Sequence, residues 1–464
     1  MMLRRLPLAL AALAALSCSR STPKSDPAPA ASATATPAAT QSAAVQVASA
    51  APAASSAAPL PPPICKTEWR KVWASGADRL TGLTEAELPD GRVALGLAIG
   101  VQPAVLLMSD KAEGKLVKVP LKPGTHLAAY PKASEGHRHI QRVTPVRVEG
   151  DDVKVFVDFR DDFNDKRRLV ACGPSESDDW WVAFNDTSYL DRKDPTEEEK
   201  KAAFKNDQYH EVRDCRTFAD IARGETWIIG SGLHGKLGAE GVIEWETTLF
   251  VNTGTKNHDR HLHAYPLKGD KPKPVDYEVP VSRRLADGSF VLAVRSGGRL
   301  LVGLLGPDKS LKGQLVSYAG FPTIPDMADD GDDVIVSTSI AKGKGEYGIK
   351  ALRINGKNPV LPKAYTNVVT DQETESDTDP DFIRDVKGQH WLAHVEGERG
   401  KGRLEIAPID ENLKLIGRPY AVTGEDEKVS SARLMAMKDG GILAAYIRDT
   451  GELVTEEVHC RIEK

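Results

Sequence analysis

A seven-fold internal repeat is the feature that most constrains how this chain folds. Seven times, a short semi-polar strand pattern reaches a turn that contains glycine, and an apolar strand pattern follows. The turn glycines lie 43 to 74 residues apart, which fits the ~40–50 residues of a four-stranded repeat unit plus loop insertions. Glycine suits such a turn because it reaches positive φ without steric cost. The seven turn residues are Gly91, Gly150, Gly224, Gly288, Gly331, Gly388 and Gly440.

Two further strands follow most of these hairpins. Apolar third strands are predicted at 104–109, 299–305, 347–354 and 403–409, and weaker fourth strands at 313–319 and 417–422. Four strands of graded hydrophobicity, repeated, are typical of a β-propeller blade. The sequence therefore predicts an all-β domain, a β-propeller of seven four-stranded blades, with six or eight blades as alternatives. A pair of stacked β-sandwiches also gives evenly spaced strands, but it does not explain seven aligned turns.

The second strand of the first repeat supports stacked blades. Residues 93–100 place large apolar side chains on one face and alanine or glycine on the other. Side chains alternate along a strand, so neither face suits water and both must be covered.

One short helix is predicted between the second and third repeats. Asp194 is a capping residue, Pro195 suits the first helical position, and Glu197 lies near the positive end of the helix dipole. We expect this helix to be a surface insertion in the propeller.

The N-terminal segment has the pattern of an export signal. Arg4 and Arg5 precede the apolar stretch Leu6–Leu16, and Ser17 and Cys18 close it. A cysteine at that point makes the segment resemble a bacterial lipoprotein signal. The resemblance implies a signal peptide over 1–17 and a lipid-bearing Cys18, with palmitate among its acyl chains.

The same resemblance implies a location. Ser19 follows Cys18 and is not the aspartate that retains such lipoproteins at the inner membrane, which favours an outer-membrane lipoprotein facing the periplasm or the surface. Ala15, Leu16 and Ser17 also satisfy the small-x-small rule of ordinary secretion. A secreted or periplasmic soluble protein is therefore the alternative.

A low-complexity segment separates the signal from the repeats. Residues 18–64 consist mostly of Ala, Pro, Ser and Thr, without an aromatic residue. Such a segment cannot bury enough apolar surface to offset its ordering entropy, which predicts a disordered tether and a folded domain over 65–464. A glycosylated stalk is the alternative.

Charge and hydropathy exclude several partners. The net charge is -5 over 464 residues and no long basic stripe occurs, so nucleic acid is not a predicted partner. Beyond Leu16, no apolar run approaches the ~18 residues of a membrane-spanning helix. Membrane attachment is therefore expected through the lipid alone.

The cysteines predict two disulfides. Of the five, Cys18 is assigned to the lipid, and an even four in an exported chain favour disulfides over metal or catalytic thiols. The seventh repeat ends after three strands, near 453–462, while the strand pattern at 68–73 has no blade of its own.

Pairing those two segments antiparallel would close the ring and place Cys460 beside Cys65. A disulfide between them would stabilise the domain by ~5 kcal/mol on the chain-entropy account. Cys172 and Cys215 then form the remaining pair.

Metal-binding patterns are weak. If 260–267 is a strand, His261 and His263 share a face with His258 nearby, a geometry that suits zinc or copper, although a solvated outer strand is favoured. His137 with His139 and His390 with His394 are weaker still. No cofactor is predicted.

Acidic stretches at 326–333 and 371–385 supply the oxygen ligands that a calcium site needs. The first fails the helix-loop-helix calcium pattern because Ser337 stands where a bidentate glutamate belongs. In the second, Asp377, Asp379 and Asp381 alternate and could share one calcium, but solvated loop acids are favoured.

No reactive motif occurs in the chain. We find no nucleophile elbow, Walker loop or H-E-x-x-H zinc motif. Trp180, Trp181 and Trp227 could form a sugar-stacking platform, although core packing is the favoured interpretation.

The resulting functional hypothesis is a non-enzymatic binding or scaffolding propeller at the cell envelope, with an envelope protein or glycan as ligand. Its ligand face would carry the loops 160–167, 341–346 and 396–401. The alternative is a propeller enzyme, a glycan or phosphoester hydrolase or lyase with carboxylates or a metal in the central funnel. Acids and histidines converging in the channel would favour the enzyme, and a mixed lining would favour the binding module.

Overall fold

A computed structural model describes residues 63–73, 80–109, 113–121, 138–164, 167–176, 181–184, 210–237, 243–252, 277–296, 298–320, 325–343, 346–369, 377–397 and 402–462. The signal peptide predicted over 1–17, Cys18, nearly all of the tether predicted over 18–64 and the helix near 194–205 lie outside these residues. The described residues belong to one compact unit, Ala58–Lys464. Within them no helix is long and apolar enough to cross a membrane.

The described chain is all-β. Strand β1 (Ile64–Val72) joins the last sheet, and the other strands form antiparallel sheets in chain order. The first sheet contains β2 (Leu80–Glu87), β3 (Val93–Ile99), β4 (Gln102–Met108) and β5 (Gly114–Lys118). The second contains β6 (Arg138–Glu149), β7 (Asp152–Asn164), β8 (Arg167–Pro174) and β9 (Trp181–Phe184). The third contains β10 (His210–Asp220), β11 (Glu225–Leu237) and β12 (Ile243–Asn252), with a short 3₁₀ turn at Ile221–Arg223.

The remaining sheets follow the same order. The fourth contains β13 (Tyr277–Arg284), β14 (Phe290–Ser296), β15 (Arg299–Leu305) and β16 (Leu311–Ala319). The fifth contains β17 (Asp326–Asp330), β18 (Asp333–Gly343), β19 (Glu346–Ile354) and β20 (Thr366–Val369). The sixth contains β21 (Asp377–Arg384), β22 (His390–Glu396), β23 (Arg403–Ile409) and β24 (Tyr420–Ala421). The last contains β25 (Val429–Ala436), β26 (Ile442–Arg448) and β27 (Leu453–Arg461), with β1 outermost.

The sheets are arranged as a β-propeller. The first strand of each sheet contacts the first strand of the next along β2, β6, β10, β13, β17, β21 and β25, and β25 contacts β2. Six of the sheets are complete four-stranded blades. The prediction of seven four-stranded blades is thus confirmed for six, because the sheet β10–β12 has three described strands. The predicted helix is not confirmed, since it falls outside the described residues.

The predicted turn glycines all lie between the first and second strands of their sheets. Their φ values run from 61° to 91°, the region that L side chains rarely adopt. In the fourth sheet, Gly288 donates to the Leu285 carbonyl at 3.0 Å, and Leu285 donates to the Ser289 carbonyl at 2.8 Å. The same pair of hydrogen bonds forms around Gly91, Gly388 and Gly440. One local turn therefore recurs in four sheets.

The sheets stack face to face, as the second strand predicted. Leu95 and Leu97 on β3 pack with Met435 of the last sheet. Ala94, on the opposite face of β3, packs with Val143 of the second sheet. A strand whose large and small faces are both buried thus lies between two neighbours.

Both predicted disulfides form. Strand β1 pairs antiparallel with β27, and the register places Cys65 opposite Cys460. The disulfide between them joins Cα atoms 4.1 Å apart and closes the ring where the first and last strands of the domain meet. The second, Cys172–Cys215, has a Cα separation of 6.1 Å and joins β8 of the second sheet to β10 of the third.

Candidate functional site

The inner strands surround a central channel with a cavity of about 460 Å³. Inner-strand side chains alternate, so every second residue of a strand can face the channel. Six charged residues from six sheets line it: Glu85, Arg142, Arg216, Arg283, Asp326 and Arg433. Among the described residues the lining is therefore mixed, with four arginines, two carboxylates and no histidine.

One half of the channel wall is an ion-pair network. Glu85 accepts from Arg283 Nη2 at 3.2 Å through Oε1 and lies 3.1 Å from Arg433 Nε through Oε2. Arg433 Nη2 lies 3.0 Å from Asp326 Oδ2. Asp329, and then Glu85, raise the pKa of Arg283 above its usual value despite burial. This half, which we call the paired wall, holds its arginines against carboxylates.

The other half carries two arginines that have no such partner among the described side chains. Neither Arg142 nor Arg216 forms an ion pair or a side-chain hydrogen bond with a residue whose side chain the structure describes. The guanidinium carbon of Arg142 lies 5.2 Å from the centre of the Phe218 ring, a cation–π contact. Among the described atoms, Arg216 Nε is buried without a hydrogen-bond partner. We call this half the arginine wall.

The electrostatics of the arginine wall follow from this crowding. Burial, and then the neighbouring positive charge of Arg216, lower the pKa of Arg142 to about 10. Two like charges in a partly dry site raise each other's energy unless an anion lies between them.

Asp158 lies close to the arginine wall but accepts hydrogen bonds from Thr217. Its side chain is 1% exposed, on β7. Oδ1 accepts from the Thr217 backbone at 3.0 Å and from the Thr217 hydroxyl at 2.8 Å. Burial raises the pKa of Asp158 to about 6, against the effect of Arg142. The carboxylate thus joins the second and third sheets instead of pairing with either arginine.

Asp381 makes a similar junction between the sixth and last sheets. It accepts from the Phe382 backbone at 2.9 Å and from the Leu434 backbone at 2.6 Å. Burial, and then the nearby Glu85, raise the pKa of Asp381 to about 8. The prediction that Asp381 is a solvated loop acid is wrong, because its side chain is 5% exposed and both of its oxygens accept from backbone N–H groups.

A second cavity of about 470 Å³ opens at the face that carries the glycine turns. Glu85 and Arg283 line both cavities, so these two residues lie where the cavities meet. Gly91, Asp220 and Asp332 belong to the second cavity alone.

The remaining candidates with described side chains are two histidines of β22 and one tryptophan of β11. His390 Nε2 lies 2.7 Å from Asp330 Oδ1, a carboxylate that Arg353 also contacts. His394 is buried, with Nε2 3.7 Å from Glu405. Trp227 is a core residue whose ring lies 5.0 Å from that of Phe290, edge to face. His258, His261 and His263 lie outside the described residues, as does Trp180.

Most acids of the stretch 326–333 are ion-paired. Asp326 contacts Arg433, Asp329 contacts Arg283, and Asp330 contacts Arg353. Arg433 and Arg283, the partners in the first two pairs, line the channel. The sequence around these acids does not indicate that they hold channel arginines.

Sequence reasoning missed the channel arginines, although a signal exists. Every repeat carries a charged residue five to eight positions before its turn glycine. These residues are Glu85, Arg142, Arg216, Arg283, Asp326, Asp381 and Arg433. In a semi-polar strand pattern, such a charged residue is interpreted as exposed to solvent. Only the closed ring shows that it faces a channel.

Comparisons with known proteins give the fold alone. No family model matches the chain, and no curated protein matches it. A mutant of NanB sialidase from Streptococcus pneumoniae is 10% identical, with 84% of this chain and 70% of that chain covered and a TM-score of 0.42. An alpha-L-arabinofuranosidase from Fusarium graminearum is 11% identical over 68% and 93%, with a TM-score of 0.36. The Dos1 propeller is 7% identical over 81% of each chain, with a TM-score of 0.35. Likenesses this distant carry no argument about activity.

Proposed function

We propose that this protein is an envelope-anchored binding module whose central channel binds the anionic group of a ligand at Arg142 and Arg216. The observation that carries the proposal is the contrast between the two halves of the channel. Arg283 and Arg433 are held by carboxylates, whereas Arg142 and Arg216 have no such partner among the described side chains.

Elementary electrostatics supports an anion at the arginine wall. A charge removed from water is costly unless it is paired and hydrogen-bonded. Guanidinium groups match carboxylate, sulfate and phosphate oxygens, often in bidentate geometry. An anion between Arg142 and Arg216 would offset the repulsion that depresses the pKa of Arg142.

The rest of the channel fits a ligand with neutral polar groups as well. Its cavity of about 460 Å³ lies within the range of small-molecule sites. Gln141, Ser430 and Ser431 supply neutral polar groups along the lining. We propose the acidic end of an envelope glycan or protein as the ligand class.

Anion binding tests the proposal directly. Purified full-length protein is titrated with sulfate, phosphate and a panel of acidic and neutral glycans by calorimetry. Charge-assisted hydrogen bonds are worth about 1.5–3 kcal/mol, so Arg142→Gln or Arg216→Gln should weaken anion binding at least about tenfold. Arg147→Gln is the matched control, because Arg147 is an exposed arginine of the same strand, paired with Glu149. Wild-type affinity in both channel variants would refute the proposal.

The envelope anchor rests on the lipoprotein-like signal and on the low-complexity tether. We also propose that the sheet β10–β12 is a seventh blade, since β10 lies between β6 and β13 in the ring.

An enzyme acting on glycans or phosphoesters is the second candidate. The observation in its favour is the pair of carboxylates Glu85 and Asp326, which line the channel on either side of Arg433, since positioned carboxylates can serve acid–base chemistry. Turnover of a glycan or phosphoester that Asp326→Asn abolishes would favour the enzyme. Binding without turnover would favour the module.

A further inference from the structure

Three potential metal ligands converge at the ring-closing sheet, away from the channel. Asp439, in the turn before β26, and Glu457 and His459 on β27 present one ligand atom each, all within 4.8 Å of one another. His459 Nε2 lies 2.6 Å from Glu457 Oε1 and 3.8 Å from Asp439 Oδ2. Glu457 and His459 share a face of β27 because they are two residues apart.

Each carboxylate has one oxygen held by a donor outside the cluster, which turns its other oxygen toward the centre. Asp439 Oδ1 accepts from the Gly441 backbone at 2.9 Å. Glu457 Oε2 accepts from the indole N–H of Trp69 on β1. Outer hydrogen bonds of this kind orient the first ligands of a metal. The atoms that face the centre are Asp439 Oδ2, Glu457 Oε1 and His459 Nε2, and a metal would replace the 2.6 Å hydrogen bond between the last two.

Gly441 keeps the space beside these atoms open. A Cβ at this position would come within 2.6 Å of Glu457 Oε1 and 2.8 Å of His459 Nε2. Any other residue would push apart the two ligands that lie closest together. The absence of a side chain at Gly441 therefore leaves room for the three ligand atoms.

The spacing suits a tetrahedral divalent cation. Ligands about 2.0–2.1 Å from zinc lie roughly 3.3 Å from one another, and the distances of 2.6 and 3.8 Å bracket that value. Imidazole and carboxylate together are ligands that zinc accepts, with water completing the shell. A dication would also neutralise two carboxylates, one of which, Glu457, is buried.

We infer that Asp439, Glu457 and His459 form a binding site for a divalent transition metal, with zinc as the best fit. The site would hold the turn before β26 against β27, and through Trp69 it also reaches β1. Cys460, beside His459, is disulfide-bonded to Cys65 of β1. Metal and disulfide would thus act on the same pair of strands that closes the ring.

Zinc titration of the full-length protein tests the site. His258, His261 and His263 are first replaced by alanine, so that the sequence-predicted cluster cannot contribute. In this background we expect one zinc equivalent to bind by calorimetry and to raise the Tm relative to protein in EDTA. Asp439→Asn keeps an oxygen for the Gly441 bond and should weaken zinc binding at least tenfold, as should His459→Gln.

Glu149→Gln is the matched control, since Glu149 is an exposed carboxylate of the second sheet that pairs with Arg147, and this variant should bind zinc as the background does. Circular dichroism confirms that each variant folds. Absence of a zinc site in the background would overturn the inference. Zinc affinity in Asp439→Asn and His459→Gln equal to that of the background would overturn it as well. Neither result bears on anion binding in the channel.

Discussion

Asp158 and Asp381 show how one residue can join two sheets of the ring. Each carboxylate is buried, and each accepts hydrogen bonds from the backbone of the next sheet, at Thr217 and Leu434. A buried acid without a cationic partner favours its protonated form, so the pKa rises to about 6 for Asp158 and to about 8 for Asp381.

The first prediction concerns the pH dependence caused by Asp158. Between pH 4 and 6 the folded protein holds a proton on Asp158 that the unfolded chain releases, because the folded pKa of about 6 exceeds the usual 3.8. This group therefore destabilises the fold increasingly as pH rises through that window, by up to about 3 kcal/mol.

Asp158→Asn keeps an oxygen for Thr217 and removes the titration. We expect its free energy of unfolding, relative to wild type, to be higher at pH 7 than at pH 4 in urea denaturation. Asp151→Asn, an exposed acid in the turn before β7, should show no such difference. A constant offset for Asp158→Asn at both pH values would contradict the assignment.

At the scale of elements, the hairpins were the most predictable part of the protein. Turn glycines and third strands such as Arg299–Leu305 and Arg403–Ile409 appear where the periodicity placed them. Their signal is local, because a positive φ requires glycine and a doubly covered strand requires apolar residues on both faces. The fourth strands are less regular, and β24 is only two residues long, since an outer strand faces water and carries a weak pattern.

The two disulfides should differ in what they contribute to stability. Cys65 and Cys460 are 395 residues apart, and Cys172 and Cys215 are 43 apart. On the chain-entropy account, the longer loop contributes about 2 kcal/mol more.

Two double variants isolate each disulfide. Reduction of Cys172→Ala/Cys215→Ala breaks only the ring-closing disulfide, and reduction of Cys65→Ala/Cys460→Ala breaks only the other. We expect reduction to lower the free energy of unfolding more in the first variant, measured by urea denaturation with and without dithiothreitol. An equal loss in both would show that β1 and β27 remain paired in the unfolded ensemble.

At the scale of the whole molecule, ring closure brings the two ends of the domain together. Strand β1 completes the sheet of β25, β26 and β27, and the tether would leave from that sheet. Closure also converts charged residues of separate inner strands into one channel, in which Glu85 of the first sheet contacts Arg283 of the fourth and Arg433 of the last.

The lipid anchor is testable on the whole molecule in its cells. If Cys18 carries the lipid, Cys18→Ser should move the protein from membrane to soluble fractions on cell fractionation. Ser19→Ala, which leaves the cysteine in place, is the control and should stay with the membrane. Membrane retention of Cys18→Ser would refute lipidation.

The sequence by itself determined the strand order, the seven glycine turns, the doubly buried second strands and the Cys65–Cys460 pairing. These features depend on local periodicity, on the conformational freedom of glycine and on the order of strands along the chain. Only the tertiary structure decided which charges meet. Arg142 and Arg216 look like ordinary polar positions of edge strands, and Asp439, Glu457 and His459 like solvated turn and strand residues. Their proximity arises from the closing of the ring and from the register of β27 beside β26, and both are long-range arrangements that no local pattern encodes.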